Sequence, residues 1–192
     1  AEKELIAACE DLQAPAGSAI VMHSKTGEIL AMANYPNYNL NRLSQSEESA
    51  KRNLSIWMQY EPGSVFKIVT ASAVLNEKIM TPDSRVYCEG GAYRLPNGHV
   101  IHDVRPNGWL TLTGVIQKSS NIGTVKVATR LGKEGLEEYV RRFGFGAKTG
   151  VDLPYEQVGN LRGLRHGYSL GQVPFGQGIS VTPIQMLNAM NV

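Results

Sequence analysis

The break at Pro62-Gly63 constrains this chain more than any other feature, because the hydrophobic pattern changes across it. Beyond it, from Ser64 to about Glu77, the apolar residues Phe66, Ile68, Val69, Ala73, Val74 and Leu75 recur at helical spacing, which predicts Ser64 at a helix N-terminus. Further helices are predicted at 111–118, 121–131 and 134–143. A last one starts at Thr182, a good N-cap followed by Pro183 in the first turn. Its stripe of Ile184, Leu187, Met190 and Val192 is expected to be exposed and in need of a partner.

Before the break the pattern is mixed. Glu2 to Leu12 carries a helical stripe of Leu5, Ile6, Ala8, Cys9 and Leu12, ended by Pro15 to Gly17. Ala19 to His23 and Glu28 to Ala33 flank the turn residues Ser24-Lys25-Thr26-Gly27 and read as two antiparallel strands. Residues 34–60 form a long Asn-, Ser- and Tyr-rich connection, with a short helix predicted around Glu47 to Arg52. Further on, Tyr93 to Leu95 and Val100 to His102 flank Pro96-Asn97-Gly98, where Asn-Gly is a strong hairpin signal.

Composition narrows the function classes. At 192 residues and 42% hydrophobic content the chain is long enough for one domain with a sizeable core, and no linker-like stretch divides it. The 19 basic and 17 acidic residues are dispersed, without the basic block of a nucleic-acid binder. No apolar run reaches the roughly 18 residues that span a bilayer. Cys9 and Cys88 are far apart, form no CxxC pair and are expected to be free, buried thiols. Among His23, His99, His102 and His166 the only close pair is His99 and His102. Three apart on a strand, they point to opposite faces and make a poor metal site. The glycines of Gly144-Phe145-Gly146 and Gly150 fail the dinucleotide spacing by one residue and follow no strand.

Chemistry concentrates at Glu61-Pro62-Gly63-Ser64-Val65-Phe66-Lys67. Spacing of three on a helix puts the Ser64 hydroxyl and the Lys67 amine on one face, one turn apart. A serine is a weak nucleophile until a neighbouring base takes its proton, and a lysine serves once burial lowers its pKa. The unpaired N–H groups of a helix start, that of Ser64 included, can donate to the oxyanion of an attacked carbonyl. With 13 serines and 9 lysines, chance alone supplies about 0.6 such pairs, so the motif needs support. Ser119-Ser120-Asn121, a Ser-x-Asn element at a helix junction, supplies it, although alone it reads as an ordinary helix cap.

A Ser-x-x-Lys followed by a Ser-x-Asn is the motif order of penicillin-binding proteins and serine β-lactamases. The chain closely resembles the class B penicillin-binding proteins, on the segments SKTGEILAMANYP, YEPGSVFKI, IHD near NGWLTL, KSSNIGTVKVA, RRFGFGAKTGVDLP and FGQGISVTPIQM. The resemblance implies an α+β transpeptidase fold shared with serine β-lactamases, here as the helical region plus the N-terminal β-hairpin of the antiparallel sheet. It implies that residues 1–192 are the N-terminal two-thirds of a transpeptidase domain, without membrane anchor, pedestal domain or Lys-Thr-Gly strand. The implied activity is peptidoglycan D,D-transpeptidation, with no cofactor or metal. Ser64 would form an acyl-enzyme with a D-Ala-D-Ala stem peptide, Lys67 would accept its proton, and Ser119 would relay a proton to the leaving nitrogen. Asn121 would hold Lys67 and the substrate amide. The implied partners are stem peptides, β-lactam antibiotics and membrane-bound wall-synthesis proteins, with no nucleic acid. The implied location is extracytoplasmic, at the periplasmic face of the bacterial membrane.

The third family motif, a Lys-Thr/Ser-Gly, should follow the Gly176-Gln177-Gly178 turn. Lys148-Thr149-Gly150 precedes that turn, so it reads as part of a structural loop, away from Ser64. The segment beyond residue 192 would carry most of the sheet and one oxyanion donor, which makes catalysis by this polypeptide alone doubtful. Two rival readings remain, a β-lactam hydrolase or sensor of the same fold, and a non-catalytic scaffold in a wall-synthesis complex.

Overall fold

A computed structural model describes residues 1–165 and 169–191; His166 and Val192 lie outside the described residues. In chain order the elements are α1 (Glu2–Asp11), β1 (Gly17–Met22), β2 (Ile29–Tyr35), α2 (Leu54–Trp57), α3 (Lys67–Asn76), β3 (Arg85–Tyr87), β4 (Ala92–Arg94) and β5 (Val100–His102). They continue with β6 (Trp109–Thr111), α4 (Leu112–Gln117), α5 (Asn121–Leu131), α6 (Lys133–Arg142), α7 (Ser169–Gln172) and α8 (Pro183–Met190). Two compact units form, one from Ala1–Tyr60, Gly144–Gly159 and Val181–Val192, the other from Glu61–Phe143 and Asn160–Ser180. The chain passes between them more than once, so no single linker marks the division.

The first unit is built on the hairpin. β1 and β2 pair antiparallel from Gly17↔Tyr35 to Met22↔Ile29, with an irregularity at Val21/Met22. Helix α1 lies on this ribbon, where Cys9 is buried against Gly17. The predicted helix around 47–52 is absent. A 3-10 turn at Leu40–Gln45 and the single turn of α2 stand on either side instead. Their N-caps explain the change: Asn39 and Asn53 accept the N–H groups of Asn41 and Ser55, and such short-range side-chain bonds favour isolated turns over a continuous helix.

Helix α8 opens with a capping box between Thr182 and Gln185 and packs on β1 and α2. Its expected exposed stripe is partly corrected. Among its described residues Ile184 is buried, Leu187 is half-buried and Met190 is exposed, because the ribbon and α2 already cover the helix's inner face. Gln185, just 1% exposed, donates through Nε2 to the carbonyls of Ala147 at 2.7 Å and Val158 at 3.0 Å.

The second unit is mainly helical. Helix α5 runs through its centre, with α3, α4, α6 and α7 packed around it. Val74, Met80, Val86, Cys88, Ile101, Leu112, Val115, Ile122, Val125, Val127 and Phe175 make one core. Both cysteines are free and buried, as expected. The Asn-Gly hairpin forms, with Ala92↔His102 to Arg94↔Val100 as β4 and β5. A second ribbon, β3 with β6, escaped the sequence reading, because strands of three residues carry too little alternation to register. Thr111 ends β6 and caps α4, accepting the Gly114 N–H at 3.0 Å.

Gln185→Leu keeps the volume in the first unit but leaves the Ala147 and Val158 carbonyls without a donor. It should lower stability by about 1–3 kcal/mol in urea unfolding, while Gln185→Glu, which retains one acceptor for the cap, should also lose the two donated bonds.

Candidate active site

Ser64 sits on a 3-10 turn, Gly63–Phe66, and the α-helix proper starts at Lys67. The helix predicted from Ser64 therefore begins with a tighter turn. With three residues per turn, side chains three apart eclipse one another, which puts Ser64 and Lys67 on one side of the turn. Phe66, with no exposed surface, anchors the turn, while Ser64 faces solvent.

The turn is braced by the Gly176-Gln177-Gly178 segment. Gly63 N donates to Gly176 O at 3.0 Å, and Glu61 Oε1 accepts from Gly178 N at 2.8 Å. Both glycines are required. Gly63 has φ +58 and Gly176 φ +81, in the left-handed region, and a Cβ on Gly176 would stand 2.2 Å from the Gly63 carbonyl oxygen. Beneath them, the buried Thr70 hydroxyl donates to Pro174 O at 3.0 Å and fixes the segment that leads into the brace.

Lys67 is 2% exposed, and its ammonium has two neighbours from one residue: Nζ donates to Ser119 O at 2.6 Å and to Ser119 Oγ at 2.8 Å. Ser119 Oγ in turn donates to Ser64 Oγ at 3.0 Å. Ser64, Lys67 and Ser119 thus form one continuous hydrogen-bonded chain. Burial pushes the Lys67 pKa down from 10.5 to about 8, against the opposing charge of Asp103. Ser119 adopts φ +52, a left-handed conformation that an L-residue holds only at a cost of about 1–3 kcal/mol.

Asn121, the first residue of α5, borders the same group but is not bonded to Lys67 as expected. Its Nδ2 donates to the His102 carbonyl at 3.0 Å, and Ser119 alone supplies the Lys67 contacts just described. The preceding Ser120 is fully buried and caps α5 by accepting the Gly123 N–H at 2.9 Å.

Lys148 is exposed in a loop of the first unit, whereas Ser64, Lys67, Ser119 and Asn121 all belong to the second. Its neighbours have structural work: the nearly buried Glu156 accepts from Thr149 N and Oγ1, each at 2.6 Å, and from Gly150 N at 3.3 Å. The structure adds contributors that spacing alone did not reveal. Asp103 and Gly176 act from 39 and 112 residues away from Ser64, and no local pattern links them to it; Thr70 is only six residues away, but its partner Pro174 is not.

The penicillin-binding protein transpeptidase domain model matches residues 17–192. The chain belongs to that family. It is 37% identical over 174 residues to penicillin-binding protein PbpB of Mycobacterium tuberculosis, covering 88% of this chain and 25% of the relative. It is 38% identical over 176 residues to the peptidoglycan D,D-transpeptidase FtsI of Escherichia coli, covering 91% and 29%. The crystal structure of penicillin-binding protein 3 of Mycobacterium tuberculosis complexed with aztreonam superposes with a TM-score of 0.87 at 35% identity, over 99% of this chain and 43% of that one. The chain thus spans about a quarter of the length of these curated relatives. The α+β transpeptidase fold and the class B membership agree with the sequence reading.

Within this family member the depressed Lys67 pKa has a consequence for stability. The folded state releases the Lys67 proton near pH 8 and the unfolded chain near 10.5, so between these values the unfolded state binds more protons. The Lys67 contribution should therefore make stability rise with pH across that window and level off above it. Comparing urea midpoints of the protein and Lys67→Met from pH 7 to 11 isolates this slope; a Lys67 contribution that falls with pH would contradict the assignment. Gly176→Ala should lower stability by about 1–3 kcal/mol in the same assay, since left-handed strain and the approach to Gly63 act together.

Proposed function

We propose that this chain provides the nucleophile, base and relay of a serine D,D-transpeptidase that cross-links peptidoglycan stem peptides. The observation that carries the reading is the Lys67–Ser119–Ser64 chain at 2.8 and 3.0 Å, with its lysine buried. When Lys67 is neutral the chain runs in reverse: Ser64 passes its proton to Ser119, and Ser119 passes its own to Lys67.

Ser64 Oγ then attacks the carbonyl carbon of the penultimate D-alanine. The carbonyl oxygen becomes an oxyanion at the first turn of the helix, where N–H groups lack partners four residues back. As the C–N bond breaks, the proton returns from Lys67 through Ser119 to the leaving nitrogen, releasing the terminal D-alanine and an ester on Ser64. The amine of a second stem attacks this ester, its proton follows the same route back, and Ser64 is regenerated with a new amide formed. Asn121, tethered to His102, binds the substrate amide beside the ester. A β-lactam ring enters the first half of the sequence and stays as the acyl group. The reaction takes place outside the cytoplasmic membrane, where the wall polymer lies, alongside membrane-bound wall-synthesis proteins.

Labelling with a fluorescent penicillin tests this reading. Ser64→Ala should abolish the label, Lys67→Ala should slow acylation about 10²–10⁴-fold, and Lys148→Ala should leave it unchanged. The wild-type rate should rise with pH through about 8, as Lys67 loses its proton, and Lys67→Ala should lack that limb. Equal losses in the two lysine variants would overturn the assignment.

A further inference from the structure

We propose that Asp103 is a positioning residue that holds the start of α5, and with it Ser119 and Asn121, in register with Lys67. The inference rests on the transpeptidase reading for its meaning but on separate contacts for its support. Asp103 follows β5 and reaches α5 with both carboxylate oxygens. Oδ2 accepts the Ser120 hydroxyl at 2.6 Å, and Oδ1 accepts the Ile122 N–H at 3.0 Å. Asn107 Nδ2 donates to Oδ2 at 3.3 Å, and the Asp103 N–H is tied to Gly91 O at 3.1 Å, so the carboxylate is itself held in place.

These bonds bracket the reactive residues. Ser120 lies between Ser119 and Asn121, is fully buried, and spends its hydroxyl proton on Asp103 while its oxygen accepts from Gly123. The neighbouring His102 carbonyl accepts from Asn121. Two consecutive residues, the last of β5 and the one that follows it, therefore grip three consecutive residues at the start of α5. That grip supports the left-handed turn at Ser119, which aims its carbonyl and hydroxyl at Lys67. A carboxylate at a helix N-terminus also meets the positive end of the helix dipole.

Asp103 acts on Lys67 through charge as well, holding up a pKa that burial lowers. The other charged or titratable groups around the clasp are the exposed His102 and Arg105, the buried Cys88 thiol, and Lys126, which pairs with Glu89. A plain structural anchor would leave the Lys67 titration unmoved. Asp103 should not.

The test uses the full chain with three readouts. In NMR of protein carrying ε-carbon-labelled lysine, with Lys67→Ala for assignment, the Lys67 midpoint should lie near pH 8 in the wild type and move to lower pH in Asp103→Asn. Amide exchange at Ile122 and Gly123 should accelerate at least about tenfold in Asp103→Ala, with Asp103→Glu restoring part of the protection. Fluorescent-penicillin acylation should fall at least about tenfold in Asp103→Ala. Should Asp103→Ala fail to fold, the near-isosteric Asp103→Asn decides on the titration. A Lys67 midpoint that stays in place or rises in folded Asp103→Asn overturns the proposal, as does unchanged exchange in folded Asp103→Ala. Absence of penicillin label on wild-type Ser64 would count against the transpeptidase reading alone, because titration and exchange still judge Asp103.

Discussion

A lysine amine that is 2% exposed and held by the oxygens of one residue is the contact on which the rest of the second unit depends. Taking an ammonium out of water costs several kcal/mol, and two hydrogen bonds offset only part of it. The remainder shows as a pKa lowered to about 8, which leaves the amine ready to accept a proton near neutrality. The burial that opposes charging Lys67 therefore also makes it a base. The same contact requires Ser119 to turn its backbone carbonyl inward, and that is the conformation with φ +52. Strain at Ser119 and burial of Lys67 are two sides of one arrangement, and both demand a rigid surrounding.

Rigidity comes from two directions. On the nucleophile side, the 3-10 turn carrying Ser64 is clamped by the glycine approach of Gly63 to Gly176 and by the Glu61 bond to Gly178. No side chain fits there, so backbone meets backbone and Ser64 has little room to drift. On the relay side, His102 at the end of β5 and Asp103 after it grip the first turn of α5. The buried face of α5, with Ile122, Val125, Val127 and Ala128, then ties this turn into the core. Misplacement of either side by an ångström would break a chain whose links are 2.8 and 3.0 Å long.

Much of this was legible in the sequence, and the boundary between what was and was not is physical. Ser64 and Lys67 are three residues apart, and Ser119 and Asn121 are two apart, so short-range spacing carried them. The β1–β2 hairpin and the long helices likewise announced themselves through local periodicity and turn residues. The β3–β6 ribbon did not, because its evidence is the long-range pairing Arg85↔Thr111 between two three-residue strands. Asn121 was assigned to Lys67 by motif, yet its amide is taken up by His102 O, a partner that only the fold brings near. The helix expected at 47–52 failed because Asn39 and Asn53 cap turns on either side, and a side-chain cap competes with helix continuation more strongly than weak periodicity supports it.

The tripeptide Lys148-Thr149-Gly150 shows why spelling alone cannot assign chemistry. Its residue types match a motif that elsewhere borders a substrate groove, and by composition it is indistinguishable from one. Here Thr149 spends both its N–H and its hydroxyl on Glu156, and Gly150 adds its own N–H to the same carboxylate. A threonine so engaged has no hydroxyl proton left for a ligand, and the nearly buried Glu156 depends on those donors in turn. Lys148, which makes no bond of this kind among the described residues, is exposed. Ser64-x-x-Lys67 has the opposite arrangement: the serine is exposed, and the lysine is buried and short of charge-stabilising partners. What separates a reactive motif from a loop of similar letters is which of its polar atoms the fold has already used.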